Sequence, residues 1–179
     1  ANPASPPQVV RYPAAGTPNA DVTLHVLALD GGSVDIAWDR EAMPYLAAVS
    51  WIDAERLLVT VQSRDQRTLE VMEANALTGD TAVLARETDD AWVELVPGAP
   101  AWVGDRLLTV VDREDTRRVC LDGVPITPVG VQVRRVLDVV DERILVAATT
   151  EPTEVHVAEC GIDGSFTWRT TAPGVHAGV

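Results

Sequence analysis

The chain has 179 residues and a mass of 19.2 kDa, 46% hydrophobic and 23% charged, which suits one ordinary globular domain and excludes disordered and collagen-like classes. Its 14 basic residues stand against 27 Asp plus Glu, and a formal charge of −13 repels phosphate backbones and anionic lipid, so neither nucleic acid nor membrane is expected as a partner. Every basic residue is Arg, which removes P-loop, Schiff-base and Ser-Lys chemistry in one step.

Residues 1–20 carry Pro3, Pro6, Pro7, Pro13 and Pro18 and read as an extended, Pro-rich lead-in. Its opening has neither the basic start nor the apolar core of a signal peptide, and no apolar run approaches the length of a membrane span. From 21 to 170 short apolar, β-branched runs alternate with turn clusters: Asp30-Gly31-Gly32, Thr78-Gly79-Asp80, Asp122-Gly123 and Asp163-Gly164. That is an all-β pattern, with 171–179 left as a tail. The best competing helix, Thr68 to Leu77, is rich in Leu, Glu, Met and Ala, yet Leu69, Val71 and Met72 fit a strand nearly as well.

Two strands, Val22 to Leu29 and Ser33 to Trp38, come first and read as half of a four-stranded unit. Three segments then repeat one order of parts, an acidic turn, an Arg and an apolar strand, at Arg56-Leu57-Leu58-Val59, Arg106-Leu107-Leu108-Thr109 and Arg143-Ile144-Leu145-Val146. The anchors lie 50 and 37 residues apart, bracketing the roughly 40 to 50 residues of a propeller blade. A third strand follows each anchor at matching distance, at Leu69 and Val71, Val119 and Leu121, and Val155 and Val157, and then a turn and a fourth. The fold expected is therefore a partial β-propeller of about three and a half four-stranded antiparallel blades. A two-sheet β-sandwich satisfies the same alternation without explaining the repeat.

Chemistry-bearing motifs are sparse. The five serines, Ser5, Ser33, Ser50, Ser63 and Ser165, include no Gly-x-Ser-x-Gly elbow, and His25, His156 and His176 show no metal-ligand spacing; no catalytic residue, cofactor site or metal site is assigned. His25 and His156 read as sheet-face residues. The acidic clusters Glu87 to Asp90 and Asp112 to Asp115 read as turn carboxylates, with Arg113, Arg117 and Arg118 near enough to neutralise them. Cys120 and Cys160 read as reduced, half-buried strand residues, which tilts the compartment towards the cytoplasm without fixing it. Trp51 and Trp102 are expected to pack on inner faces. Trp92 sits in a long connection and is the one candidate for a substrate-facing or domain-facing role.

Arg11-Tyr12-Pro13-Ala14-Ala15-Gly16-Thr17-Pro18-Asn19-Ala20-Asp21-Val22 resembles the Tyr-Pro-x-Ala-Gly-x-x-Asn-Pro-x-Val entry of the dipeptidyl peptidase IV family, and Thr88-Asp89-Asp90-Ala91-Trp92-Val93 its Thr-x-x-Trp-Val. Tyr45 to Trp51 and Arg56 to Gln66 extend the likeness, which runs to about Arg169 and weakens from Cys160. The resemblance implies a bacterial member's N-terminal propeller, capping an α/β-hydrolase domain that cleaves N-terminal Xaa-Pro or Xaa-Ala dipeptides with a Ser, Asp and His triad. That triad and the paired glutamates that hold the substrate amine fall outside this chain, so the chain alone is not expected to be an enzyme. Its implied partners are the C-terminal α/β-hydrolase domain and, in the parent, a short peptide substrate. Glu94-Leu95-Val96-Pro97 departs from the aromatic and Arg that line the outer pocket in mammalian members, so no pocket contact is carried over. The disulfide that animal members begin near the position of Cys120 is not expected, because no Cys follows between Asp122 and Gly130. A free-standing β-propeller-like or β-sandwich binding module is the alternative. A partial propeller leaves open blade faces and edges, so the isolated chain is expected to self-associate.

Overall fold

A computed structural model describes residues 16–178. Among them there is no helix, and fourteen strands form four antiparallel sheets. The hairpin β1 (Leu24–Leu27) and β2 (Ser33–Ile36) stands alone as a two-stranded sheet. The first blade contains β3 (Tyr45–Trp51), β4 (Arg56–Gln62), β5 (Thr68–Asn75) and β6 (Thr81–Thr88) in sequential order. The second contains β7 (Ala101–Val103), β8 (Arg106–Arg113), β9 (Thr116–Leu121) and β10 (Val124–Pro125). β11 (Gln132–Val140), β12 (Arg143–Thr149), β13 (His156–Gly161) and β14 (Phe166–Trp168) make the third. This is a partial, propeller-like all-β fold of three blades and a hairpin, as the repeat requires. The segment that competed as a helix is β5.

All three Arg anchors open the second strand of their blades. Arg56 bonds Asp53 and Glu73, and Arg106 bonds Asp122. Asp53 also accepts the Glu55 and Arg56 amides and so closes its turn while holding its Arg, whereas Asp122 accepts the Leu107 amide and ties the end of β9 to the start of β8. These bonds keep both carboxyl groups below the usual aspartate range: for Asp53 the Glu55 amide is the largest cause, and for Asp122 the Arg106 side chain. Between anchor and turn the second strands are apolar on both faces. In β4 Leu57, Leu58, Val59 and Val61 are all buried, as are Ile144, Val146, Ala147 and Ala148 of β12. The fourth strand of the first blade, β6, is mostly exposed and polar at its end.

The core is divided unevenly. One cluster runs from the second blade into the third and includes Leu108, Val119, Leu121, Val133, Ile144 and Val146, each fully buried. The hairpin packs Ile36 onto Leu57, Val59 and Met72 of the first blade. Between the first and second blades the buried apolar contact shrinks to Leu58, Val71 and Leu107, with Ile52, Leu69, Ala85 and Trp102 half-buried around them.

Two expectations need correction. Trp51 is 59% exposed rather than packed, because it ends β3 on the thinly filled side of the first blade. Trp102, at the same seam, does pack inward, partly buried against Leu58, Val71 and Leu107. Cys120 and Cys160 are fully buried rather than half-buried; both are free thiols, and burial pushes Cys160 up to about 11. Residues 171–178 lie along the start of β13: the Val155 amide donates to the Gly174 carbonyl at 3.0 Å, and the His176 amide to the Val155 carbonyl at 2.8 Å. Most of the Pro-rich lead-in, with Pro3, Pro6, Pro7 and Pro13, lies outside the described residues, as do Arg11 to Ala15 of the family-like entry motif.

Candidate functional site

Trp92 belongs to the connection from β6 to β7, and that connection is pinned at several points. Asp89 Oδ1 accepts the amides of Ala91 at 2.7 Å and Trp92 at 3.1 Å, while the Asp89 amide donates to the Arg67 carbonyl. Next, the Val93 amide donates to the Gln66 carbonyl at 2.8 Å, and the buried Gln62 side chain donates to the Val93 carbonyl at 3.1 Å. Val96 then buries itself in the core shared by the second and third blades. The Pro97 carbonyl accepts from the Val136 amide, and Gly98 (φ +82°) turns where a Cβ would lie 2.1 Å from the Val136 carbonyl oxygen.

Rigid anchoring on both sides leaves the Trp92 ring 61% exposed, its Nε1–H donating to Glu94 Oε2 at 3.3 Å. Beside it a small polar notch is lined by Glu87, Asp89, Glu94, Arg113 and Arg117. An exposed aromatic face held on a fixed loop is suited to stacking or to packing against another surface, because little conformational freedom is left to lose on contact.

The notch is electrostatically closed. Arg113 grips both carboxylate oxygens of Glu87 at 2.7 Å, tying the end of β8 to the end of β6 across the seam, and these bonds hold its pKa above the ordinary Arg value. Arg117 pairs with Asp112, and Arg118 with Glu114. Three of the clustered carboxylates are thereby neutralised by the three Arg residues that the sequence placed near them. No group of three metal-ligating side chains occurs among the described residues. His25 pairs across the hairpin with Asp35 at 2.6 Å, and His156 packs against Trp168 and stacks on His176, so each lies on a sheet face.

Sequence reasoning missed Thr60. It lies in β4, 1% exposed, and its Oγ1 has no hydrogen-bond partner, a condition shared among the described side chains only by Trp102 Nε1. The one available signal was a hydroxyl in the middle of Leu57-Leu58-Val59-Thr60-Val61.

With this geometry in place, comparison with known proteins is decisive at the level of family. The family model of the dipeptidyl peptidase IV (DPP IV) N-terminal region matches residues 3–150. The chain belongs to that family. A crystal structure of Porphyromonas gingivalis dipeptidyl peptidase 4 is similar in fold, with a TM-score of 0.74 at 18% identity over 92% of this chain. The chain spans 25% of the length of that protein. A peptidase-associated, propeller-like domain of the DPP IV N-terminal region is thus established by sequence family and by fold together.

Proposed function

We propose that this chain is the non-catalytic propeller section of a DPP IV-like serine exopeptidase, where it gates the access of peptides to an α/β-hydrolase domain. The observation that carries the reading is the family match over residues 3–150, on a chain whose sequence contains no nucleophile elbow. In that reading the parent enzyme removes N-terminal Xaa-Pro or Xaa-Ala dipeptides, and the blades select by size, because a folded or long polypeptide cannot pass a narrow opening. Trp92, exposed on its pinned loop, faces the hydrolase domain or the incoming peptide.

Peptides of increasing length that share one Ala-Pro N-terminus test the gating. The parent protein is expected to lose kcat/KM steeply with length or with a folded C-terminal extension, whereas equal rates for a short peptide and a folded one would contradict it. Trp92→Ala in the parent is expected to raise KM severalfold with kcat little changed; unchanged KM would remove Trp92 from the substrate path. The isolated chain is expected to self-associate through its outer blade faces and the edge of β1, which among the described strands pairs only with β2 and ends in the exposed Leu27, followed by the exposed Leu29. Sedimentation velocity at rising concentration checks this, and a strictly monomeric chain would count against it.

A further inference from the structure

The seam between the first and second blades holds two cavities. One, of about 400 Å³, lies against β5, β6 and β8 and is walled by Leu69, Val71, Leu84, Leu107 and Val110. The other, of about 530 Å³, lies against β3 and β7, with Trp51 and Ile52 at its side. Thr60, Ala99, Pro100 and Trp102 line both, and so form the partition between them.

The two orphaned polar atoms sit in this partition. Thr60 Oγ1 and Trp102 Nε1 are both covered and both lack a partner. Elsewhere buried polar side chains are satisfied: Gln62 by Val93, Glu70 by Arg86, and Thr127 by the Val119 amide. A buried donor left unpaired in the interior is costly, so two in one partition mark a place where an acceptor from outside the chain would be stabilising. Volumes of this size are in the range of small-molecule sites. Their walls are largely apolar, and the two guanidinium groups at the larger apolar wall, Arg86 and Arg113, are committed to Glu70 and Glu87. Of the other carboxylates that line it, Asp122 is held by Arg106, Glu94 accepts from the Trp92 indole, and Asp105 is exposed to solvent, which favours a neutral ligand.

We infer that the seam binds a small, elongated, neutral molecule with an apolar arm in each cavity and a carbonyl group between them. The carbonyl oxygen parts the partition and accepts from Trp102 Nε1–H, and the Thr60 hydroxyl supplies a second donor. The β6–β7 connection that carries Trp92 also walls this site, through Val93, Val96, Ala99 and Pro100, but the inference does not depend on the peptidase reading.

The matched probes 1,3-diphenylacetone and 1,3-diphenylpropane share two apolar arms and differ in the central carbonyl. Titrated into the ¹⁵N-labelled chain, the ketone is expected to move one of the five indole N–H resonances downfield together with amides of β4, β7 and β8. It is expected to bind about fivefold more tightly than the hydrocarbon, the effect of one hydrogen bond made in a buried site. Trp102→Phe should remove the shifting indole signal and the fivefold preference, and Thr60→Val should reduce the preference. Equal affinity for the two probes, shifts scattered away from the seam, or no shift up to the solubility limit would each overturn the inference. The comparison of the two probes on the unmodified chain decides the matter even if a variant fails to fold.

Discussion

The seam between the second and third blades and the seam between the first and second are built from the same repeat, yet they are filled differently. In the former, second, third and first strands interlock around Leu108, Val119, Val133 and Ile144 in one continuous core. In the latter three buried residues touch, two cavities remain, and the blades are joined at the rim by the Arg113 to Glu87 pair. The difference arises at the first strand. Val133 and Val136 of β11 enter the core shared with the preceding blade, whereas in β7, the equivalent first strand, Trp102 is only partly buried at its seam and Val103 belongs to the other core. A blade repeat therefore dictates how strands pair within a sheet and leaves packing between sheets to individual side chains.

Substitution can break that contrast. Ile144→Ala empties a fully packed site and is expected to cost about 4 kcal/mol, while Leu107→Ala, facing space that already exists, should cost about 2 kcal/mol. Urea denaturation of both variants measures the gap, and equal losses would mean that the two seams are equally packed. Gly98→Ala probes the crossing into the tight core: at φ +82° and with its Cβ forced against the Val136 carbonyl, it is expected to cost about 2 kcal/mol. Gly123→Ala, at φ +79° with open space around it, should cost about 1 kcal/mol and serves as the control for backbone strain alone.

The smallest effect concerns the turn carboxylates. Asp53, Asp65, Asp122 and Asp163 all have lowered pKa values, through bonds from Glu55, Ser63, Arg106 and Ser165 respectively. Folded-state values below the unfolded ones give stability that is present above about pH 4 and is lost as pH falls through the folded values. Asp122→Asn keeps an acceptor for the Leu107 amide and tolerates φ 51°, but loses the charge, so its stability should fall less between pH 4 and pH 2 than that of the parent chain. Thermal melts across that range check the sign.

Much of the architecture was legible because its signals are local. Arg56, Arg106 and Arg143 each mark the first residue of a second strand, and Asp30-Gly31-Gly32 turns the hairpin with Gly31 at φ +96°. Trp51 was misjudged because large aromatic residues usually fill an interior, and whether this one does so depends on a neighbouring blade some fifty residues away. Thr60 was overlooked for a related reason: threonine is at home in a strand, and only the fold shows that its hydroxyl and the Trp102 indole N–H, lining the same two cavities, are buried without partners. The docking of residues 171–178 beside β13 was invisible, since backbone pairing of a Gly-containing tail leaves no periodicity to read.

The most direct measurement places the isolated 179-residue chain and the full-length protein that carries it side by side on Gly-Pro and Ala-Pro chromogenic dipeptides. The full-length protein is expected to release dipeptides and the chain alone to release none. Turnover by the rigorously purified chain, or none by the full-length protein, would contradict the account of this domain as the non-catalytic propeller of a DPP IV-like peptidase.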